Sequence, residues 1–116
     1  MKIKECVRLL KADVAVEAPD METDIQVACG ADLMSDVMAF ACSSNELLLT
    51  GLVNPQAIRT AEMMDIKVVV FVRGKQPGES ILTLAREKGI CVLTTEMPMF
   101  TACGELYQHG LRGKGG

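Results

Sequence analysis

Residues 46–74 read ELLLTGLVNPQAIRTAEMMDIKVVVFVRG. Glu46 to Val53 is an apolar run, Asn54 to Asp65 is helical in character, and Ile66 to Gly74 is a second apolar run rich in β-branched residues. Asn54 offers an amide oxygen to the unpaired N–H groups of a helix start. Pro55 suits the first helical position, where its missing N–H costs nothing. Ile58, Ala61 and Met64 or Asp65 mark the inner stripe of that helix. Neither flanking run alternates, as expected for strands covered on both faces. Strand, helix and strand in this order form a crossover unit with parallel strands.

The same alternation continues on both sides. Lys2 to Lys11 places Ile3, Cys6, Val7 and Leu10 at spacings of three and four, which predicts a short amphipathic helix. Asp13 to Glu17 reads as a short strand and Ala18 to Thr23 as a loop. Asp24 to Cys29 alternates, with Ile25, Val27 and Cys29 on one side, as an edge strand would. Asp32 stands as N-cap to a helix over Leu33 to Cys42, whose inner face is Leu33, Met34, Val37, Met38 and Ala41. Ser43 to Asn45 is a loop. Beyond Gly74, Pro77 is expected to open a helix facing inward through Ile81, Leu82, Leu84 and Ala85, with Gly89 as its stop. Ile90 to Thr94 is a buried strand. A last helix starts near Pro98, is expected to bury Phe100, Cys103, Leu106 and Tyr107, and ends at Gly110. Leu111 to Gly116 is expected to be a frayed, flexible tail. The order from Asp24 is β-α-β-α-β-α-β-α, which predicts one α/β domain over residues 1–110. It is a three-layer α/β/α arrangement around a mostly parallel sheet.

Composition limits the function classes. The 116 residues suffice for one core, with about two-thirds of the extended chain's surface buried. With three Phe, one Tyr, no Trp and eight Met, that core is aliphatic and adaptable. The net charge is −3, and no basic run or aromatic platform exists, which argues against nucleic-acid binding. No apolar run reaches the length of a membrane span, and the charged start is unlike a secretory signal. Five cysteines without CxxC spacing predict reduced, buried thiols in the cytoplasm rather than a metal centre or bound cofactor. The single histidine, His109, complements a helix C-terminus.

In open α/β sheets ligands gather beyond the carboxyl ends of the strands, where helix N-termini also point. Four connections lie there, contributing Gly30, Asp32, Ser35, Asp36, Thr50, Gly51, Asn54, Arg73, Gly74, Lys75, Thr94, Thr95 and Glu96. The ligand-binding candidates among them are Ser35, Asp36, Thr50, Gly51, Asn54, Arg73, Gly74, Lys75 and Thr94, arranged for a small anionic ligand or a nucleotide. Architecture explains several equally well: Asp32 and Asn54 as caps, Gly51 and Gly74 as turns, Thr94 and Thr95 as a strand end. Arg73 and Lys75 are the least demanded by the fold. Phosphate-loop and nucleophile-elbow motifs are absent, and no catalytic residue is assigned.

Four segments in order carry a resemblance: GADLMSDVMAF from Gly30, LLLTGLVNP from Leu47, VVVFVRGKQP from Val68, and VLTT with MFTACGELY from Val92. They resemble the DRTGG domain in its small stand-alone form, found in anaerobic bacteria and archaea and often beside iron-only hydrogenase genes. The fold implied is similar to the N-terminal domain of HPr kinase/phosphorylase. The family's Asp-Arg aligns with Val53-Asn54, and its Thr-Gly-Gly with Arg73-Gly74-Lys75, so only Gly74 is kept. The resemblance implies a regulatory or dimerising module rather than phosphotransfer. The function expected is therefore a non-catalytic, ligand-sensing or accessory homodimer, linked to hydrogenase or to a protein partner. A nucleotide-handling, kinase-like enzyme and a metal or redox accessory protein are the alternatives.

Overall fold

The computed structural model describes residues 1–40 and 45–114, with Phe40 to its backbone only. Helix α1 (Ile3–Leu10) and strand β1 (Asp13–Val16) come first. Four strands then alternate with four helices: β2 (Val27–Gly30), α2 (Met34–Phe40), β3 (Glu46–Thr50), α3 (Pro55–Met63), β4 (Ile66–Phe71), α4 (Glu79–Lys88), β5 (Cys91–Thr94) and α5 (Met99–Gln108). The sheet order is β1-β5-β4-β3-β2. Strands β2 to β5 are parallel, and β1 adds to β5 in the antiparallel sense.

This order decides which helix goes where. From β2 to β5 each strand is laid beside its predecessor in one direction, and each crossover is right-handed. Helices α2, α3 and α4 therefore share one face. Their Val37, Ile58, Ala61, Ile81 and Ala85 pack with Leu48, Val69, Phe71 and Val92. The other face takes α1 and α5, whose Ile3, Leu10, Ala102 and Leu106 pack with Leu47, Leu49, Val68, Val70 and Leu93. Neighbours along a strand point to opposite faces, so both faces are filled only if the run is apolar throughout. The expected three-layer α/β/α fold around a mostly parallel sheet is the fold observed.

Asn54 caps α3 as expected, its Oδ1 accepting from Gln56 N–H at 2.8 Å. Gly89 ends α4 with φ of +68°. Other expectations change. Helix α4 starts at Glu79 with Gly78 at its N-cap, two residues beyond Pro77. Met34 and Val37 are buried in α2, but Leu33 is 60% exposed and Met38 42%. Ala41, and with it Cys42 to Ser44, lies outside the described residues. In α5 the buried residues are Ala102 and Leu106; Cys103 is half-buried, Tyr107 is exposed and Phe100 is 89% exposed. The helix turns a face toward the sheet that its small residues fit, and its aromatic face points away. The expected frayed tail is docked at its start. Leu111 is buried, Ala28 N–H donates to the Arg112 carbonyl at 3.0 Å, and the Arg112 guanidinium stacks 3.9 Å from the Tyr107 ring centre. Sealing the β2 edge in this way satisfies a backbone group that an edge strand would leave open.

Candidate functional site

Adjacent connections leave the sheet in opposite directions at one place. After β4 the chain runs to α4 on one face; after β5 it runs to α5 on the other. Between the carboxyl ends of β4 and β5 lies the crevice that such a divergence opens. It is formed by Arg73-Gly74-Lys75 on one side and Thr95-Glu96-Met97 on the other.

The two loops are stitched together. Arg73 N–H donates to the Met97 carbonyl and Gly74 N–H to the Thr95 carbonyl, both at 2.9 Å. These bonds hold Arg73 at φ +61° and Gly74 at φ +70°. Glycine accepts that conformation freely. An arginine there costs about 1 kcal/mol, so the surrounding bonds must hold it. A Cβ on Gly74 would collide with the Glu96 carboxylate, which lies directly over it. Below, the buried Thr95 hydroxyl donates to the Leu10 carbonyl at 2.7 Å and accepts from Met97 N–H at 3.2 Å. Thr95 thus anchors the β5 loop to the end of α1.

From the crevice the Arg73 side chain reaches across Gly51. A Cβ at Gly51 would collide with the guanidinium, so glycine there is what lets the side chain lie flat over the β3 loop. Its nitrogen ends 4.0 Å from Asp32 Oδ2. The other Asp32 oxygen accepts from Gly51 N–H at 2.6 Å and from the fully buried Thr50 hydroxyl at 3.4 Å. That hydroxyl in turn accepts from Leu52 N–H at 3.1 Å. The result is a shelf across the strand ends running Asp32, Gly51, Arg73, Gly74, Glu96, with cation and carboxylates alternating.

Of the sequence candidates, Thr50, Gly51, Arg73 and Gly74 are brought together here. Lys75 follows in the same loop and is exposed. Asn54 spends its side chain on the α3 cap. Ser35 and Asp36 are exposed on the first turn of α2 and make no side-chain hydrogen bond among the described residues. Thr94 is buried, paired through its backbone with Asp13 and Phe71. Gly30 serves packing: a Cβ there would stand 2.9 Å from the Cys103 sulfur. Asp32 changes role. Helix α2 begins at Met34, so Asp32 stands one residue too early to cap it, and its carboxylate serves β3 instead.

Cys6, Cys91 and Cys103 are not set up as reactive thiols. Burial pushes the Cys6 and Cys91 thiols up to about 11 and raises Cys103 as well, so they are neutral at physiological pH. No group of three or more His, Cys, Asp or Glu among the described residues could hold a metal ion. No helix among the described residues is long and apolar enough to cross a membrane. A cavity of about 100 Å³ lies between β2, α5 and Leu111 to Gly113. Small-molecule sites run to roughly 300–1,000 Å³, so it is too small for a nucleotide.

No protein-family model and no curated protein matches the sequence. A solved structure does match in three dimensions: the CBS and DRTGG domains of the regulatory region of Clostridium perfringens pyrophosphatase, complexed with its activator diadenosine tetraphosphate. The superposition has a TM-score of 0.78 at 18% sequence identity, and it covers 92% of this chain and 46% of that one. The fold is shared. The DRTGG resemblance read from the four sequence segments thus meets a DRTGG-containing structure of the same architecture, while this chain spans about half of that chain's length.

Proposed function

We propose that this chain is a non-catalytic regulatory module that senses a small anionic ligand, of the nucleotide or phosphorylated-metabolite class, on the shelf between Asp32 and Glu96. One observation carries the reading. Arg73 is held in a left-handed conformation at the point where the connections diverge, and its guanidinium is laid across Gly51 with half its surface exposed. Backbone strain that the surroundings maintain tends to mark functional positions. A half-exposed guanidinium beside a backbone N–H is suited to a phosphate or carboxylate. The structural neighbour is itself the regulatory region of an enzyme and carries a nucleotide activator.

Self-association belongs to the same proposal. The exposed Phe100 and Tyr107 on α5 supply apolar surface for a second copy or a protein partner. Light scattering should then report a mass above 12.5 kDa at micromolar concentration, and a 12.5 kDa particle would contradict it. An accessory role beside iron-only hydrogenase, in the cytoplasm, rests on the family resemblance.

The ligand is tested by thermal unfolding against nucleotides and phosphorylated metabolites. A ligand at 100 times its Kd stabilises by about 2.7 kcal/mol, which is about 10 °C in Tm for a domain of this size. Stabilisation that disappears in Arg73→Ala supports the sensor. Stabilisation that persists in that variant contradicts the site. Turnover of a nucleotide that depends on Arg73 would make the chain an enzyme instead.

A further inference from the structure

We infer that the Asp32 carboxylate is a built-in occupant of an oxyanion seat, and that a phosphoryl group binds the shelf by displacing it. This deepens the ligand-sensing reading and rests on it. The seat consists of Gly51 N–H, the Thr50 hydroxyl and the Arg73 guanidinium. Thr50 is fully buried, with its hydroxyl facing Asp32 Oδ1. The donors come from the ends of two adjacent strands: Gly51 N–H and the Thr50 hydroxyl meet at Asp32 Oδ1, 2.6 Å from Gly51 nitrogen, and the Arg73 guanidinium stands 4.0 Å from Oδ2 of the same carboxylate.

That carboxylate shows what the seat accepts. It also bars an external anion in two ways. Gly51 has one N–H, which a second acceptor reaches only once Asp32 has left. A negative charge at about 4 Å also repels a phosphate by roughly an order of magnitude in affinity or more, even at the high effective dielectric of a surface. Leaving is easy for Asp32. Its side chain is 58% exposed and returns to water without burying charge, and its contact with Arg73 is a surface pair at 4.0 Å. The Arg73 backbone is held by its bond to Met97, and that of Gly74 by its bond to Thr95, so the guanidinium stays within reach of the seat.

Displacement has a structural consequence. Asp32 ties the β2–α2 connection to β3, while the Ala31 N–H bond to the Leu49 carbonyl at 3.0 Å keeps β2 in place below it. Binding therefore frees the segment that begins at Asp32 and includes the exposed Leu33, and leaves the sheet unchanged. A ligand arriving at β3 and β4 is thereby reported at the start of α2.

Calorimetric titration of the full chain with inorganic phosphate tests this, using the unmodified protein, Asp32→Ala, Asp32→Asn and Arg73→Ala, each checked for folding by circular dichroism. Asp32→Ala empties the seat and should bind about tenfold tighter than the unmodified chain. Asp32→Asn, which removes the charge but keeps an acceptor at Gly51, should fall between them and carries the test if the alanine variant fails to fold. Arg73→Ala should abolish binding. Equal or weaker binding by the folded Asp32 variants, with Arg73-dependent binding by the unmodified chain, overturns the displaced-carboxylate mechanism and leaves the ligand site standing. Absence of phosphate binding in all the folded proteins overturns both.

Discussion

Gly51→Ala separates the site from the fold. The atoms nearest the new methyl all belong to the Arg73 guanidinium, the far end of a flexible, half-exposed side chain. Gly51 is not among the positive-φ residues, so an alanine there brings no left-handed strain. The unfolded chain loses freedom, which favours folding by about 0.4–1 kcal/mol. Against that stands the Arg73–Asp32 pair, at 4.0 Å and with both partners half-exposed or more. Exposed pairs of this kind contribute about 0–1 kcal/mol. The two effects offset, and Tm should move by no more than about 4 °C. Ligand binding should respond very differently. Pushing the guanidinium off the shelf removes a charge-assisted hydrogen bond of about 1.5–3 kcal/mol, or roughly 10- to 150-fold in affinity. Thermal unfolding and calorimetric titration of one preparation measure both quantities. A large fall in Tm with unchanged phosphate affinity would refute the reasoning, because it would make Gly51 a packing residue.

Further variants probe the supports of the shelf. Asn54→Ala removes the α3 cap and should cost about 1 kcal/mol, near 4 °C in Tm, seen in a thermal melt. Thr95→Val leaves the Leu10 carbonyl and Met97 N–H without their partner, and denaturant titration should show a loss of about 1–3 kcal/mol. The buried thiols give a pH dependence of known sign. Cys6 and Cys91 stand near 11 in the folded chain against an ordinary 9.0, so the neutral thiol is favoured by folding. Their contribution is complete below pH 9 and is lost as pH rises through 11. Denaturation measured from pH 8 to 11 should show stability falling over that window, with a shallower fall in Cys6→Ala.

The central unit was legible because its local signals agree. Asn54-Pro55 starts a helix by capping chemistry, and the runs on either side are apolar without alternation, so both faces had to be covered. The sheet order was not legible, since it depends on which strands meet. The divergence that creates the crevice, with α4 and α5 on opposite faces, therefore emerged only from the structure. Asp32 illustrates the limit of local rules: an acidic residue just before a helix satisfies the rule for a cap, yet its acceptor role is taken by Thr50 and Gly51, distant in sequence. Arg73 in a left-handed turn carries no sequence signal, because that conformation is associated with Gly and Asn. Phe100 and Tyr107 lie on a plausible helical stripe, but Ala102 and Leu106 define the face that meets the sheet. Leu111 and Arg112 sit in a Gly-rich segment, and only the open edge of β2 explains why they are docked.

Amide chemical-shift mapping during a titration with a phosphorylated ligand tests the location of the site most directly. The largest shifts are expected at Gly51, Arg73, Gly74 and Glu96, with the amides of Lys67 and Gly89 at the opposite end of the sheet unmoved. Shifts centred on Lys67 and Gly89, or on the cavity beside Cys103 and Leu111, would contradict it.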